Sequence, residues 1–430
     1  MKKVKQTFDN ILDWMKNNAF LFVKTPERDF TRNGKLPLDE VIRLVLSFSG
    51  TSLPCELTNF YDFDTHAPSP SALIQKRKKL RLSAFRFPFE TMLDSYPHFR
   101  TFKGYRLLAT DGSSLNIAKN PQDLETYFPK GWSDYNQLHL DALYDLENNL
   151  YIKAKISAMH HRDERQSLIE FLRELKVNHE KIIVIADRGY ESYNILAHLE
   201  AENVKYVIRA KSPKTRISML YKRIQVNKRG DKRIKLTLTR QQTKKIKENP
   251  HFKTLRSQCK FDFLPPKSKD VYDLSYRVIS IPLEDGTFEY LLTNLSKDEF
   301  SAKELKQLYI KRWGIETSFR SLKHTVGLSH LHSKRRDLSE QEIYARLIMY
   351  NLSSLISSEM ELQKSPTKYD YHINFKMAVQ TCKALLRRNP PTWTNIEGTL
   401  RRHLLPVRKN RKAHRQMRSI SFISFNYRVA

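Results

Sequence analysis

Tyr309, Arg312, Glu316 and Lys323 share one stretch of chain and together offer an aromatic ring, two cations and a carboxylate. At about 100° per residue, with Tyr309 at zero, Arg312 falls at about 300°, Glu316 at about 340° and Lys323 at about 320°. The four side chains therefore form a narrow stripe on one helix face. Leu308, Ile315, Phe319 and Leu322 cluster beside it at roughly 220–280°, so the stripe flanks the buried face and lines a cleft once the helix docks. The plainer alternative is a solvated surface ladder, since Arg312 and Glu316 are an i,i+4 pair worth only a few tenths of a kcal/mol.

Two more carboxylates stand at the ends of apolar runs, Asp111 after YRLLAT and Asp187 after KIIVIA. In open α/β sheets, sites form at the carboxyl ends of strands. If the stripe-bearing helix crosses that sheet, Glu316 joins the two aspartates. Three carboxylates in a low-dielectric cleft repel, and hard divalent cations with oxygen ligands relieve the repulsion. Two Mg²⁺ ions about 4 Å apart would activate a water or a 3′-hydroxyl and stabilise the leaving oxygen. Arg312 as a fork and Lys323 as a point charge would then hold backbone phosphates, with Tyr309 on a phosphate or stacked on a base.

Singly, these residues say less. Asp111-Gly112-Ser113-Ser114 fits a turn, and Asp187-Arg188-Gly189-Tyr190 fits a strand-end cap. Arg188 is open to either a DNA contact or a carboxylate partner. His160, His161, Asp163 and Glu164 look like a metal cluster, but Asp163 is better explained as a helix cap. Trp313 is assigned to helix packing.

The elements that must position these groups have readable ends. Ser301 and Glu304 make a capping box, and Gly327 is a C-cap. Gly314 inside the helix costs up to about 1 kcal/mol against Ala, which points to a close approach to the backbone. Upstream, Tyr105–Thr110, Gln137–Asp145 and Leu150–Ala158 read as strands, the last two joined by an Asn148-Asn149 hairpin. A helix capped by Asp163 runs to about Val177, Lys181–Ala186 is an apolar strand, and a helix (Ser192–Glu202) and a strand (Val204–Ala210) follow. The order β, β, β, α, β, α, β is that of a ribonuclease-H-like α/β core. Residues 211–299 alternate in short stretches, as in a β-rich insertion, and from Lys211 to Lys247 their only acid is Asp231.

The flanks are helical. Leu38–Phe48, Leu53–Tyr61 and a segment opened by Ser69-Pro70 suit a helix-turn-helix DNA reader, with Lys76 and Arg77 on its basic third helix. Leu338–Ser358 and Ile373–Leu386 form the C-terminal helices, and no acid follows Glu397. The expected domains are thus residues 1–100, 101–210, 211–299, 300–335 and 336–430. They correspond to a DNA-binding helical unit, the first part of the core, the insertion, the glutamate helix, and a helical region with a basic tail.

A formal charge of +30 on 430 residues calls for a polyanionic partner, and for a soluble chain nucleic acid is the usual one. Cys55, Cys259 and Cys382 are isolated and suggest neither disulfides nor zinc. The N-terminus lacks a signal-peptide core and no apolar run reaches membrane-spanning length, so a cytoplasmic protein without membrane contact is expected.

The segments LLATDGSSL and IVIADRGY, with the Y-x₂-R-x₃-E-x₆-K pattern of Tyr309, Arg312, Glu316 and Lys323, resemble the DDE transposases of bacterial insertion sequences, closest to the insertion-sequence-four family. The resemblance covers about residues 100–330. It implies cut-and-paste transposition, with Asp111, Asp187 and Glu316 binding two Mg²⁺ (Mn²⁺ substituting). It further implies end nicking, hairpin formation and strand transfer by a homodimer on terminal inverted repeats and target DNA, in a bacterial, nucleoid-associated setting. Tyr309, Arg312 and Lys323 would grip the terminal strand; Arg188 keeps both readings given above, with DNA binding as the working one. A catalytically inactive DNA-binding derivative and another ribonuclease-H-like nuclease are the competing readings.

Overall fold

A computed structural model describes residues 1–32, 34–94, 96, 99–129, 134–175, 181–360 and 370–407. Its centre is a ten-stranded mixed sheet. The strands are β1 (Tyr105–Ile117), β2 (Tyr127–Phe128), β3 (Tyr135–Asp145), β4 (Leu150–Ala158), β5 (Lys181–Ala186), β6 (Lys205–Ala210), β7 (Gly230–Thr239), β8 (Phe252–Thr254), β9 (Val271–Pro282) and β10 (Phe288–Thr293). Helices α1 (Lys2–Asn17), α2 (Leu38–Ser47), α3 (Leu53–Phe60), α4 (Pro70–Lys79) and α5 (Ser83–Thr91) precede the sheet. Between its strands lie α6 (Glu164–Glu174), α7 (Tyr193–Ala201) and α8 (Lys244–Glu248). After it come α9 (Ala302–Lys311), α10 (Trp313–Ser321), α11 (Arg336–Ser358), α12 (Phe375–Leu386) and α13 (Trp393–Arg402). Among the described residues no helix is long and apolar enough to cross a membrane.

The strand order is β2-β3-β1-β5-β6-β10-β9-β7-β8, with β4 also pairing β3. β1 is antiparallel to β3 and parallel to β5, and β5 is parallel to β6. The near-continuous apolar run of β5 reflects burial on both faces, as expected of a central parallel strand. α6 and α7 cover one face through Leu168, Leu172, Ile195 and Leu199. The α9–α10 segment packs on the other, where Leu305, Leu308 and Tyr309 meet Leu107, Ile183 and Ile185.

The segment 211–299 does not stand apart from this sheet. β10 pairs antiparallel with β6, β9 with β10, and β7 with β9, so the insertion extends one hydrogen-bonded ladder. Asp231, the lone acid in the basic run, is bound by the Nε and Nη2 edge of the Arg277 guanidinium, at 2.7 Å each. The same guanidinium donates to the carbonyls of Ser296 (2.9 Å) and Phe300 (2.8 Å), just before the capping box of α9.

The terminal helices share one apolar cluster that takes in α1, α2, α11, α12 and the Ala109–Ile117 face of the sheet. Beneath it lies a buried charged network. Arg77 is 2% exposed and donates to Glu342 (3.0 Å) and to the Leu338 carbonyl (2.8 Å). This corrects the expectation that Arg77 contacts DNA: its guanidinium ties α4 to α11 instead. Lys76 lines a cleft with Lys35 and Lys79, its ammonium 4.5 Å over the Phe30 ring. The basic tail from Arg408 onward lies outside the described residues, as does Val177, the expected end of α6, which stops at Glu174.

Candidate active site

Asp111 is not at a strand end. β1 continues through it to Ile117, because DGSSLNI keeps pairing with β3 after β5 has stopped. The turn reading of Asp111-Gly112-Ser113-Ser114 is therefore replaced by strand. What changes at Asp111 is burial: the fully buried run Tyr105–Thr110 gives way to partly open positions.

Asp187 directly follows β5 in extended conformation. The β1–β5 register pairs Ala109 with Ile185. Asp111 and Asp187 each follow that pair by two residues, Asp187 just past the end of β5, and the Asp187 charge acts on the Asp111 carboxyl. One Asp187 oxygen accepts the Gly189 N–H at 2.7 Å, and a Cβ at Gly189 would lie 2.8 Å from that oxygen. The strand-end cap and the site carboxylate are thus the same residue, and glycine two residues on is what lets it turn.

Glu316 comes from the opposite direction, on α10 over β1. The expected single helix is broken at Arg312, where α9 ends and α10 begins, and it finishes in a π-helical turn, Leu322–Val326, capped by Gly327 at φ 100°. The capping box of Ser301 and Glu304 is present. A Cβ on Gly314 would meet Leu146 Cδ2 at 2.8 Å, which accounts for glycine inside the helix.

The stripe residues differ in exposure. Arg312 is 6% exposed, donates to Glu316 at 2.6 Å and lies 5.7 Å over the Tyr309 ring, while its buried Nε has no partner among the described residues. Tyr309 is buried against the sheet, and burial raises its phenol pKa. Lys323 donates to the Ser114 carbonyl at 3.1 Å, so the π-turn brings its ammonium onto β1, and burial depresses its pKa. Arg188 is exposed. Trp313, assigned to packing on sequence, is instead 48% exposed beside Arg312.

Burial pushes the Asp111 carboxyl up to about 6; the Gly112 N–H and the Arg312 charge oppose the rise, and Asp187 and Glu164 add to it. These groups therefore interact electrostatically at one spot. The donors are carboxylate oxygens, one of them resists ionisation without a nearby cation, and Arg312 holds an unused buried N–H. That set fits a hard divalent cation with a phosphate alongside.

Sequence reasoning misses two neighbours and groups a third, Glu164, with His160, His161 and Asp163 instead. His139 and Asp141, both buried on β3, meet Glu164 of α6: His139 Nε2 lies 3.0 Å from Asp141 and 3.3 Å from Glu164. Their ligand atoms fall within 4.8 Å of one another, a spacing that can hold a metal ion. Asp163 caps α6 through the Gln166 N–H, as expected, while His160 stacks on Phe128. The period-two spacing of His139 and Asp141 on a strand was the available signal.

Residues 102–352 match the family described as transposase DDE domain. The chain is 26% identical over 300 residues to the transposase InsG for insertion sequence element IS4 of Escherichia coli strain K12, covering 66% of this chain and 60% of that protein. It therefore spans about 60% of that relative's length. Over 66 residues it is 38% identical to the transposase for insertion sequence element IS421 of Escherichia coli, covering 15% of this chain and 18% of that one. A piggyBac transposase synaptic complex with hairpin DNA aligns at TM-score 0.44 and 11% identity, covering 92% of this chain and 82% of that one.

Proposed function

The chain belongs to the transposase DDE-domain family, and on that premise we propose that it is a DNA transposase that moves an insertion sequence by cut-and-paste. The reading includes a ribonuclease-H-like core, Mg²⁺ as the working cation, end nicking, a hairpin intermediate and strand transfer. The observation that carries it is the meeting of Asp111, Asp187 and the Arg312–Glu316 pair at the point where β1 outruns β5.

In this reading Asp111, Asp187 and Glu316 hold the divalent ions, whose chemistry when bound is to activate the attacking water or 3′-hydroxyl and to neutralise the leaving oxygen. Glu316 also fixes Arg312, whose free Nε is left to donate to a phosphate oxygen of the DNA strand. Lys323, anchored on the Ser114 carbonyl, adds a point charge on the same side. Tyr309 supports the Arg312 guanidinium from beneath, and Arg188 and Trp313 present exposed surface to the strand.

A basic cleft of about 550 Å³ in the insertion, lined by Lys222, Arg223, Lys228, Arg229 and Lys232, supports a polyanion path away from the centre. With Lys76 and the basic C-terminal stretch, it suits double-stranded transposon ends and target DNA bridged by a homodimer. The setting proposed is bacterial, cytoplasmic and nucleoid-associated, and the five expected segments serve as working domains.

The test is cleavage of supercoiled DNA carrying the gene with its natural flanks, comparing the wild-type protein with Glu316→Ala in Mg²⁺ and in chelator. Metal-dependent excision at both flanks that vanishes in the variant supports the reading. Binding without cleavage by either protein refutes it in favour of an inactive derivative, and cleavage surviving the substitution removes Glu316 from the site.

A further inference from the structure

Asp111 and Gly112 are consecutive on β1, so their Cα–Cβ directions point to opposite faces of the sheet. Asp111 faces α10. On the Gly112 side the antiparallel register sets Asp141 directly opposite Gly112, and His139 opposite Ser114. α6 lies over that face, and its first residue is Glu164.

On that face Gly112, next to Asp111, leaves the room that His139 and Glu164 occupy. A Cβ built there would lie 2.4 Å from His139 Nε2 and 2.9 Å from Glu164 Oε1, so no other residue fits without displacing both. The α6 terminus is also tied to the Asp187 loop, because Arg165 donates to the carbonyls of Gly189 (2.8 Å) and Glu191 (3.3 Å). Glu164 is thus fixed beside the strand end that carries Asp187 and close enough to act on the Asp111 charge. Its side chain is 37% exposed, whereas those of His139 and Asp141 are buried.

Within the cluster the roles are ordered. Ser167 donates to Asp141 at 2.7 Å, and Asp141 in turn holds His139 Nε2 at 3.0 Å, the same nitrogen that lies 3.3 Å from Glu164. His139 Nδ1 is buried and has no partner among the described residues.

Resting on the reading above, we propose that Glu164 is a fourth carboxylate of the Asp111–Asp187–Glu316 centre, reaching it from the opposite sheet face past Gly112, and that His139, anchored by Asp141, is the positioning residue that holds it there.

The experiment is calorimetric titration of the full-length protein with Mn²⁺ alone, for wild type, Asp111→Asn, Glu164→Gln and His139→Asn, with melting temperatures recorded. Asp111→Asn is expected to abolish the binding. Glu164→Gln should weaken it about 10- to 100-fold at an unchanged melting temperature, and His139→Asn should weaken it in the same direction by less. Cleavage by Glu164→Gln should recover as Mn²⁺ is raised, which a merely structural defect would not do. Wild-type Mn²⁺ affinity in Glu164→Gln, with Asp111→Asn defective, overturns the inference and leaves the centre intact. Mn²⁺ binding that survives Asp111→Asn but is lost in His139→Asn also overturns it, because the cluster would then be a separate metal site. No Mn²⁺ binding by the wild type overturns the proposed centre itself.

Discussion

Replacing Arg77 by alanine tests whether the basic third helix of the N-terminal region grips DNA with this residue or spends it inside the protein. Glu342 is 0% exposed and takes hydrogen bonds from Arg77 Nη1 at 3.0 Å and from the His332 backbone N–H at 2.7 Å, with His332 Nδ1 at 3.3 Å. Burial alone would raise its pKa, but the Arg77 charge and then His332 hold it at about 2, below the ordinary 4.5. That gap corresponds to about 3 kcal/mol of native stability. That figure is shared by Arg77 and His332, and stripping one partner from a buried pair costs about 3–5 kcal/mol, the same order. A carboxylate depressed by folding stabilises above its unfolded pKa, so the contribution is complete at pH 7 and lost as pH falls from 4.5 towards 2. Urea unfolding at pH 7 should therefore show Arg77→Ala less stable by about 3 kcal/mol, with the exposed Lys78→Ala unchanged. Arg77→Met combined with Glu342→Leu should recover most of the loss, since an apolar pair of similar volume leaves no buried charge. Arg77→Ala with wild-type stability but weaker, less salt-dependent DNA binding would refute the structural assignment.

Asp111→Asn should stabilise the metal-free protein. A carboxyl raised to about 6 by burial destabilises the fold as pH climbs from the unfolded value of 3.8 through 6, by about 1–3 kcal/mol at pH 7. Melting in chelator should show the variant ahead at pH 7.5 and level at pH 3.5. Gly189→Ala puts a methyl 2.8 Å from Asp187 Oδ1, and a displaced site carboxylate should cut cleavage about 100-fold with little change in melting temperature. Lys323→Met should weaken binding of terminal DNA across all sequences and reduce the salt slope by about 1, measured by fluorescence anisotropy from 50 to 200 mM salt.

Period-two alternation, apolar runs and caps made most elements legible, so β4, β5 and the Ser301 cap fall where patterning sets them. The apolar signal of β1 stops at Thr110, so the sequence shows too short a strand, while pairing with β3, which no local pattern announces, goes on to Ile117. Tyr309, Arg312, Glu316 and Lys323 were visible as a stripe because they lie within one helical segment. His139 and Asp141 are not, since the register that sets them against Ser114 and Gly112 joins residues 25 and 29 positions apart. Glu164 was grouped with its sequence neighbours His160 and Asp163, whereas its contacts come from the adjacent strand. Arg77 looked solvent-facing because four basic residues in a row carry no amphipathic phase, and its partner Glu342 is 265 positions away.

The pairing of β10 with β6 makes the insertion a poor candidate for modular deletion. Cutting out residues 211–299 would strip the partner from β6 and leave the backbone donors and acceptors of KYVIRA as an open, largely apolar edge, a template for sheet-to-sheet aggregation. It would also remove Arg277, whose guanidinium fastens β9 to the carbonyls just ahead of the Glu316-bearing segment. A minimal catalytic fragment of this protein must therefore keep its basic strands as scaffolding, whatever they do for DNA.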